Sequence, residues 1–137
     1  MSSRTIFLAR LIGLYSLIVS LAMMLHGHDS ILMVEAIVRS SPLLFIAGML
    51  ALIAGLAIVL GHNIWSGGAL PVVVTLVGWI SLVKGALVLF LMPAGTAPLL
   101  LVDLGYEQLF YPYTAISLVL GLYLTYSSLI KPIRRLP

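Results

Sequence analysis

Long apolar runs alternate with short polar connections along the chain. Four of the runs come close to the ~20 residues that a helix needs to cross a bilayer. We take them as helices, because a membrane-spanning sheet needs a closed barrel of alternating residues. The second, third and fourth runs each have a proline at their start, where a missing N–H costs nothing: Pro42, Pro71 and Pro112. We therefore predict transmembrane helices at about 5–26, 42–61, 71–91 and 111–130.

The connections after the first and third runs have features of short helices. Each combines an apolar stretch with two charged residues spaced i,i+4, which are Glu35 with Arg39 and Asp103 with Glu107. An amphipathic helix of this kind lies in the membrane interface, and tyrosines are typical of headgroup depth: Tyr106, Tyr111 and Tyr113. We predict short interfacial helices within 28–42 and 98–112.

Small residues recur on one face of every predicted helix. Helices in lipid associate through close backbone approach at such residues, since lipid offers no hydrophobic drive for pairing. The first helix has Ala9, Gly13, Ser16 and Ser20; the second has Gly48, Ala51, Gly55 and His62; the third has Gly78, Ser81 and Gly85; the fourth has Thr114, Ser117, Gly121 and Ser128. These four faces predict a compact bundle in which every helix has a packing seam.

The two halves of the chain resemble each other. Residues 11–19 (LIGLYSLIV) align with 76–84 (LVGWISLVK) at an offset of 65, and 55–60 (GLAIVL) align with 121–126 (GLYLTY) at an offset of 66. Parallel repeats of this kind occur in transporters. Leucine-rich segments also align by chance, so the pattern alone leaves the two interpretations open.

Composition agrees with a membrane protein. Of the 137 residues, 62% are hydrophobic and 8% are charged, whereas a soluble domain has about 25% charged residues. The chain has no cysteine, which excludes a disulfide, a thiolate metal site and a cysteine nucleophile. The predicted fold is an all-α membrane protein, an antiparallel four-transmembrane-helix bundle with two short outer interfacial helices. It forms a single integral membrane domain over 1–137.

The charges predict an orientation. Five of the seven basic residues flank the first and last helices: Arg4, Arg10, Lys131, Arg134 and Arg135. All acids lie in the connections on the other side: Asp29, Glu35, Asp103 and Glu107. The positive-inside rule then places both termini in the cytoplasm, and the net charge of +3 reports topology instead of nucleic-acid binding. Ser20-Leu21-Ala22 would suit signal-peptide cleavage, but Arg10 interrupts the apolar region, and we expect the first helix to be retained.

A first candidate for chemistry is the stretch around the end of the first helix. Met23, His26 and His28 lie close together there, and thioether and imidazole groups are ligands for copper. No second ligand cluster accompanies them apart from Met92. We therefore expect a solvated helix end and no bound metal. The alternative is a metal site formed by these three residues.

A second candidate is His62 with Asn63 at the end of the second helix. His62 continues the small-residue seam, so it faces other helices. It could titrate near neutral pH and gate a proton path. The favoured interpretation is that His62 and Asn63 cap free carbonyls at the helix end, with Trp65 as an interfacial anchor.

The third candidate is Lys84, a charge inside an apolar run. Its side chain can extend toward the outer interface, where the acids lie. Glu35, Asp103 and Glu107 are the candidate partners, with Asp103 or Glu107 favoured, and Ser81 could accept a further hydrogen bond. We expect a lysine–carboxylate bond that holds an outer segment on the bundle, with an ion or substrate site and simple snorkelling as the alternatives.

Several of these residues match a pattern in other proteins. The chain resembles a group of small, functionally uncharacterised bacterial inner-membrane proteins with a His-Asn-x-Trp turn and a Gly-Trp…Lys-Gly third helix. The matching positions are His62, Asn63, Trp65, Gly78, Trp79, Lys84 and Gly85. The resemblance implies the bacterial cytoplasmic membrane and carries over no activity.

Two classes of function remain, and the first is favoured over the second. The first is an oligomeric transporter or channel-like protein for an ion, a proton or a small solute, whose route would involve the polar residues Lys84, Ser81, Glu35, Asp103, Glu107, His62 and Asn63. The second is a non-catalytic accessory or scaffold subunit of a larger membrane complex. The sequence contains no Ser-His-Asp arrangement, phosphate loop or carboxylate dyad, so we expect no enzyme and no cofactor. The expected partners are the lipid bilayer, a second copy or a larger membrane protein, and no nucleic acid.

Overall fold

The computed structural model of the chain describes residues 2–91 and 105–130, with only the backbone at 106 and 107. These parts are helical: α1 (Ser3–Leu25), α2 (Gly27–Arg39), α3 (Ser41–Gly61), α4 (Ala69–Leu91) and α5 (Tyr106–Ile130). Four helices are long and apolar enough to cross a membrane, namely α1, α3, α4 and α5. The prediction of an all-α, multi-pass membrane protein is therefore confirmed at this level.

The predicted helix bounds agree closely with the observed bounds for α1, α3 and α4, and less closely for α5. Pro42 lies in the first turn of α3, as predicted. Pro112 instead lies inside α5, which begins at Tyr106, so its assignment to a first turn is wrong. A transmembrane helix tolerates such a proline because neighbouring groups can compensate for one lost backbone bond. Residues 106–112 consequently belong to α5 and not to a separate outer helix; residues 98–104 lie outside the described part.

The helix predicted within 28–42 is present as α2. It follows α1 after one residue, His26, and is separated from α3 by Ser40. The predicted i,i+4 pair forms a salt bridge, with Nη2 of Arg39 2.7 Å from Oε1 of Glu35. Val38 is the buried residue of α2, and the helix packs mainly against α3.

Helices α3 and α4 pack together through their glycines. A Cβ atom on Gly55 would overlap the backbone of Leu82, and one on Gly85 would overlap the backbone of Leu52. At the other end of the contact, Gly78 lies against Ile58. Residue numbers fall along α4 as they rise along α3. Only residues without side chains permit this backbone approach, as the sequence predicted.

Helices α1 and α5 form a second pair of the same kind. A Cβ atom on Gly13 would lie 2.8 Å from the backbone nitrogen of Thr125, and one on Gly121 would lie 2.8 Å from that of Leu17. Within the described residues, all members of the four predicted seams are buried or partly buried. The seam prediction is therefore confirmed.

The predicted repeat is visible in the burial pattern. Each buried residue of α1 has a buried counterpart 65 positions later in α4: Thr5 and Leu70, Ile6 and Pro71, Ala9 and Val74, Gly13 and Gly78, Ser20 and Gly85. The buried residues of α3, with His62 after it, have buried counterparts 66 positions later in α5: Leu44 and Phe110, Gly48 and Thr114, Gly55 and Gly121, Ile58 and Leu124, His62 and Ser128. Chance alignment of leucines would not produce this correspondence.

The contacts repeat as well as the burial. Gly121 lies against Leu17, and at the equivalent positions Gly55 lies against Leu82. Gly13 lies against Leu124 and Thr125, and its counterpart Gly78 lies against Ile58 and Val59. Helix α1 therefore corresponds to α4, and α3 corresponds to α5. Of the two interpretations that the sequence left open, the packing favours the repeat.

The two helix pairs meet mainly where α1 approaches α4, and this contact is less extensive than the contact within either pair. An apolar core fills the space between the pairs: Ala9, Ile58, Leu70, Val74 and Leu124. This core includes further repeat counterparts, since Ala9 corresponds to Val74 and Ile58 corresponds to Leu124. The fold is thus two equivalent pairs joined around a common core.

Candidate functional site

His62 occupies the point where three elements meet. Its backbone N–H donates to the carbonyl of Ile58 at 2.7 Å and ends α3. Its ring is 2% exposed. Ring Nε2 lies 2.9 Å from Oγ1 of Thr5 in α1, and Nδ1 lies 3.4 Å from Oγ1 of Thr75 in α4. The three side chains, which we call the His62 cluster (Thr5, His62 and Thr75), therefore connect both helix pairs.

The two hydroxyls of the cluster have further partners. Oγ1 of Thr5 lies 2.8 Å from Oγ of Ser2. Oγ1 of Thr75 accepts from the backbone N–H of Ile64 at 3.1 Å and can donate to the carbonyl of Ile64 at 3.0 Å or of His62 at 3.2 Å. Because a hydroxyl can donate or accept, either neutral tautomer of His62 has a partner at both ring nitrogens. The cluster is consequently a satisfied polar network.

Asn63 connects the turn after α3 to α4. Its Oδ1 accepts from the indole N–H of Trp65 at 2.8 Å and from that of Trp79 at 3.4 Å. Both indoles are exposed, which suits the interfacial position predicted for Trp65. His62 thus caps α3 as predicted, through its backbone N–H on the carbonyl of Ile58, while the side chains of His62 and Asn63 bond to hydroxyls and indoles.

Lys84 connects the other ends of α4 and α5. Its ammonium lies 5.7 Å from the centre of the Tyr113 ring, within the ~6 Å range of a cation–π contact. The carboxylate of Glu35 pairs with Arg39. Asp103 lies outside the described residues, as does the side chain of Glu107, so a bond from Lys84 to either one stays a prediction. Ser81 is partly buried next to Lys84 on α4.

The predicted pathway residues do not come together in one place. His62 and Asn63 lie at the end of α3 and Lys84 lies toward the end of α4, nine residues beyond Thr75, or about 14 Å along the helix at 1.5 Å per residue. The apolar core lies between the helix pairs. Within the described residues, the arrangement is therefore two separate polar contacts, one near each end of the bundle.

The candidate metal ligands are also placed by the structure. His26 and His28 are both exposed, and Nδ1 of His26 lies 3.2 Å from the carbonyl of Ala22. Across residues 2–91 and 105–130, no group of three or more His, Asp or Glu side chains could hold a metal ion. Met23 is partly buried in the last turn of α1.

Sequence reasoning missed Thr5, and it also missed Thr75. Its counterpart 65 positions earlier is Arg10, and the counterpart of His62 is Ser128. The guanidinium of Arg10 donates to the backbone carbonyl of Ser128 at 3.1 Å, as the hydroxyl of Thr75 can donate to the backbone carbonyl of His62 at 3.2 Å. The contact therefore has an equivalent in the other half, but both contacts are visible only in the structure.

Comparisons with known proteins add no relative: no family model, no curated protein and no solved structure matches this chain. The resemblance to small bacterial inner-membrane proteins therefore stays a prediction. Arguments about function depend on the geometry alone.

Proposed function

We propose that the chain is a small protein of the bacterial cytoplasmic membrane that acts as a non-catalytic accessory or scaffold subunit of a larger membrane complex. In this proposal the four long helices form an antiparallel bundle with both termini cytoplasmic, and α2 lies in the outer interface. The grouping of basic residues at the termini and of acids in the opposite connections supports this orientation.

The observation that carries the accessory role is the apolar filling between the helix pairs. A route for an ion needs polar groups or water at successive depths. Here Ala9, Ile58, Val74 and Leu124 form a buried apolar cluster to which all four long helices contribute. The ring of His62 is itself fully engaged with Thr5 and Thr75. These contacts support a rigid body that presents its outer surfaces to a partner.

Transport is the second candidate, and the repeat favours it. Transporters are often built from two equivalent bundles that rock against each other around a site at their interface. Here the pairs α1–α5 and α3–α4 are equivalent, and two polar contacts hold them together, the His62 cluster and Lys84 with Tyr113. Separation at either contact would open one end of the bundle.

Flux through reconstituted vesicles tests the two roles against each other. The purified protein is reconstituted in vesicles with a potassium gradient and a pH-sensitive dye. If the role is accessory, these vesicles should leak protons and ions at the same rate as protein-free vesicles. The matched control is the Lys84→Met variant at the same protein density. Flux in the parent that falls in Lys84→Met or in His62→Leu would contradict the accessory role and establish transport.

The accessory role also makes a positive demand. A photo-crosslinking amino acid can be inserted at an exposed position such as Ile116. In native membranes it should yield covalent products with another membrane protein. Products that contain only this chain would instead indicate a homo-oligomer.

A further inference from the structure

A groove between α1 and α3 is open at one end of the bundle. It has a volume of about 230 Å³ and is lined by Arg4, Phe7 and Leu8 of α1 and by Ala57 and Gly61 of α3. The repeat supplies an internal comparison, because α4 and α5 are the counterparts of α1 and α3.

The two halves differ in side-chain size on the helices α3 and α5. Helix α5 has large residues where α3 has alanines: Tyr113 for Ala47, Leu120 for Ala54 and Tyr123 for Ala57. Leu120 packs against the apolar core, and Tyr113 contacts Lys84. The three alanines of α3 are all exposed. Of the three, Ala57 lines the α1–α3 groove, so this groove lacks the tyrosine that α5 has at the equivalent position.

Charge identifies the class of occupant. Arg4 lies at the mouth of the groove, in the first turn of α1, where α4 has the uncharged Ala69. The rest of the lining is apolar or backbone: Phe7, Leu8, Ala57 and Gly61. A guanidinium above apolar walls is complementary to a phosphate that carries acyl chains. Basic pockets between transmembrane helices on the cytoplasmic side bind anionic lipid headgroups.

We propose that the α1–α3 groove binds a phospholipid with an anionic headgroup from the cytoplasmic leaflet. The lipid phosphate pairs with the guanidinium of Arg4, and one acyl chain runs along Leu8 and Ala57. The proposal rests on the proposed membrane orientation and is independent of the choice between accessory and transport roles.

The test uses the full chain in a mild detergent. Native mass spectrometry with equal amounts of phosphatidylglycerol and phosphatidylcholine of the same acyl chains measures which lipid stays bound. We expect phosphatidylglycerol to be retained about fivefold more, the factor that one basic residue near the membrane surface supplies. Arg4→Gln should abolish that preference, while Arg134→Gln, which removes the same charge from the other terminus, should keep it.

A second variant tests the apolar part of the groove. Ala57→Tyr introduces the residue that occupies the equivalent position of α5 and should reduce retention of both lipids. Its matched control is Ala115→Tyr on the exposed face of α5, which should leave retention unchanged. Equal retention of the two lipids by the parent, or an unchanged preference in Arg4→Gln, would overturn the lipid site.

A second copy of the chain is the competing occupant. Because the chain has no cysteine, Ala57→Cys gives a single thiol in the groove. Formation of a disulfide-linked dimer in membranes under mild oxidation would show that another copy covers the groove and would overturn the proposal. Leu60→Cys, at an exposed position, is the control for oxidation. If Ala57→Cys stays monomeric under conditions that oxidise this control, the result supports the proposal.

Discussion

His62 shows how one residue can join three helices that lipid would not hold together. Its ring bonds to a hydroxyl in each of two helices while its backbone ends a third. Hydrogen bonds between transmembrane helices each contribute about 0.6 kcal/mol on average. A buried polar group that loses its partner costs more, about 1–3 kcal/mol.

Replacement of His62 by leucine should therefore lower the free energy of unfolding in detergent by about 1–3 kcal/mol. The repeat supplies a matched control, Ser128→Ala, since Ser128 is the counterpart of His62 and its hydroxyl donates to the carbonyl of Thr125 in its own helix, at 2.9 Å. Reversible denaturation in mixed micelles measures both variants. Equal losses in the two variants would show that His62 does not connect the helix pairs.

Lys84 has a described partner that the sequence did not indicate. Its contact with the Tyr113 ring should contribute about 0.5–1 kcal/mol at an exposed site. A double-mutant cycle of Lys84→Met and Tyr113→Leu should give a coupling energy of that size, and additive losses would mean that the contact has no energetic role. A parallel cycle with Asp103→Asn tests the lysine–carboxylate bond that the sequence predicts.

At the scale of the helices, glycine sets how closely each pair approaches. Gly55 and its counterpart Gly121 both lie against the backbone of the partner helix, at Leu82 and Leu17. Alanine at either position should separate the backbones and cost about 1–3 kcal/mol from overpacking. Gly61→Ala is the control, because a Cβ there meets nothing within 4 Å. We expect the two seam variants to lower the melting temperature in detergent and the control to leave it unchanged. Variants at Gly55 and Gly121 that are as stable as the parent would show that the seams are not contact faces.

The helices and their packing faces could be predicted from sequence because both depend on local patterns. Apolar length gives the spans, and small residues spaced along one face give the seams. The start of α5 could not be predicted, because Pro112 has the local signal of a first turn and the preceding residues continue the helix. The partner of each helix could not be predicted either. Thr5 meets His62 only because α1 lies beside α4 and the end of α3, and nothing in the local pattern encodes that arrangement.

At the scale of the molecule, the structure is two equivalent helix pairs with different surroundings. Burial and glycine contacts repeat between the halves. The polar residues do not repeat. The positions equivalent to His62, Thr75 and Lys84 are occupied by Ser128, Arg10 and Val19. The repeat thus accounts for the fold, and the departures from it mark the residues on which the functional proposals rest.

The central claim is that these pairs form a four-helix bundle across the membrane, with the start of α1 and the α3–α4 turn on the cytoplasmic side. Labelling of single cysteines in intact cells with a membrane-impermeant maleimide, followed by purification of the chain, tests it, since the chain has no native cysteine to react. Asp29→Cys at the start of α2 should label in intact cells. Ser3→Cys and Ser66→Cys, both at exposed positions, should label only after the membrane is permeabilised. Labelling of Ser66→Cys from outside, or protection of Asp29→Cys, would contradict the account.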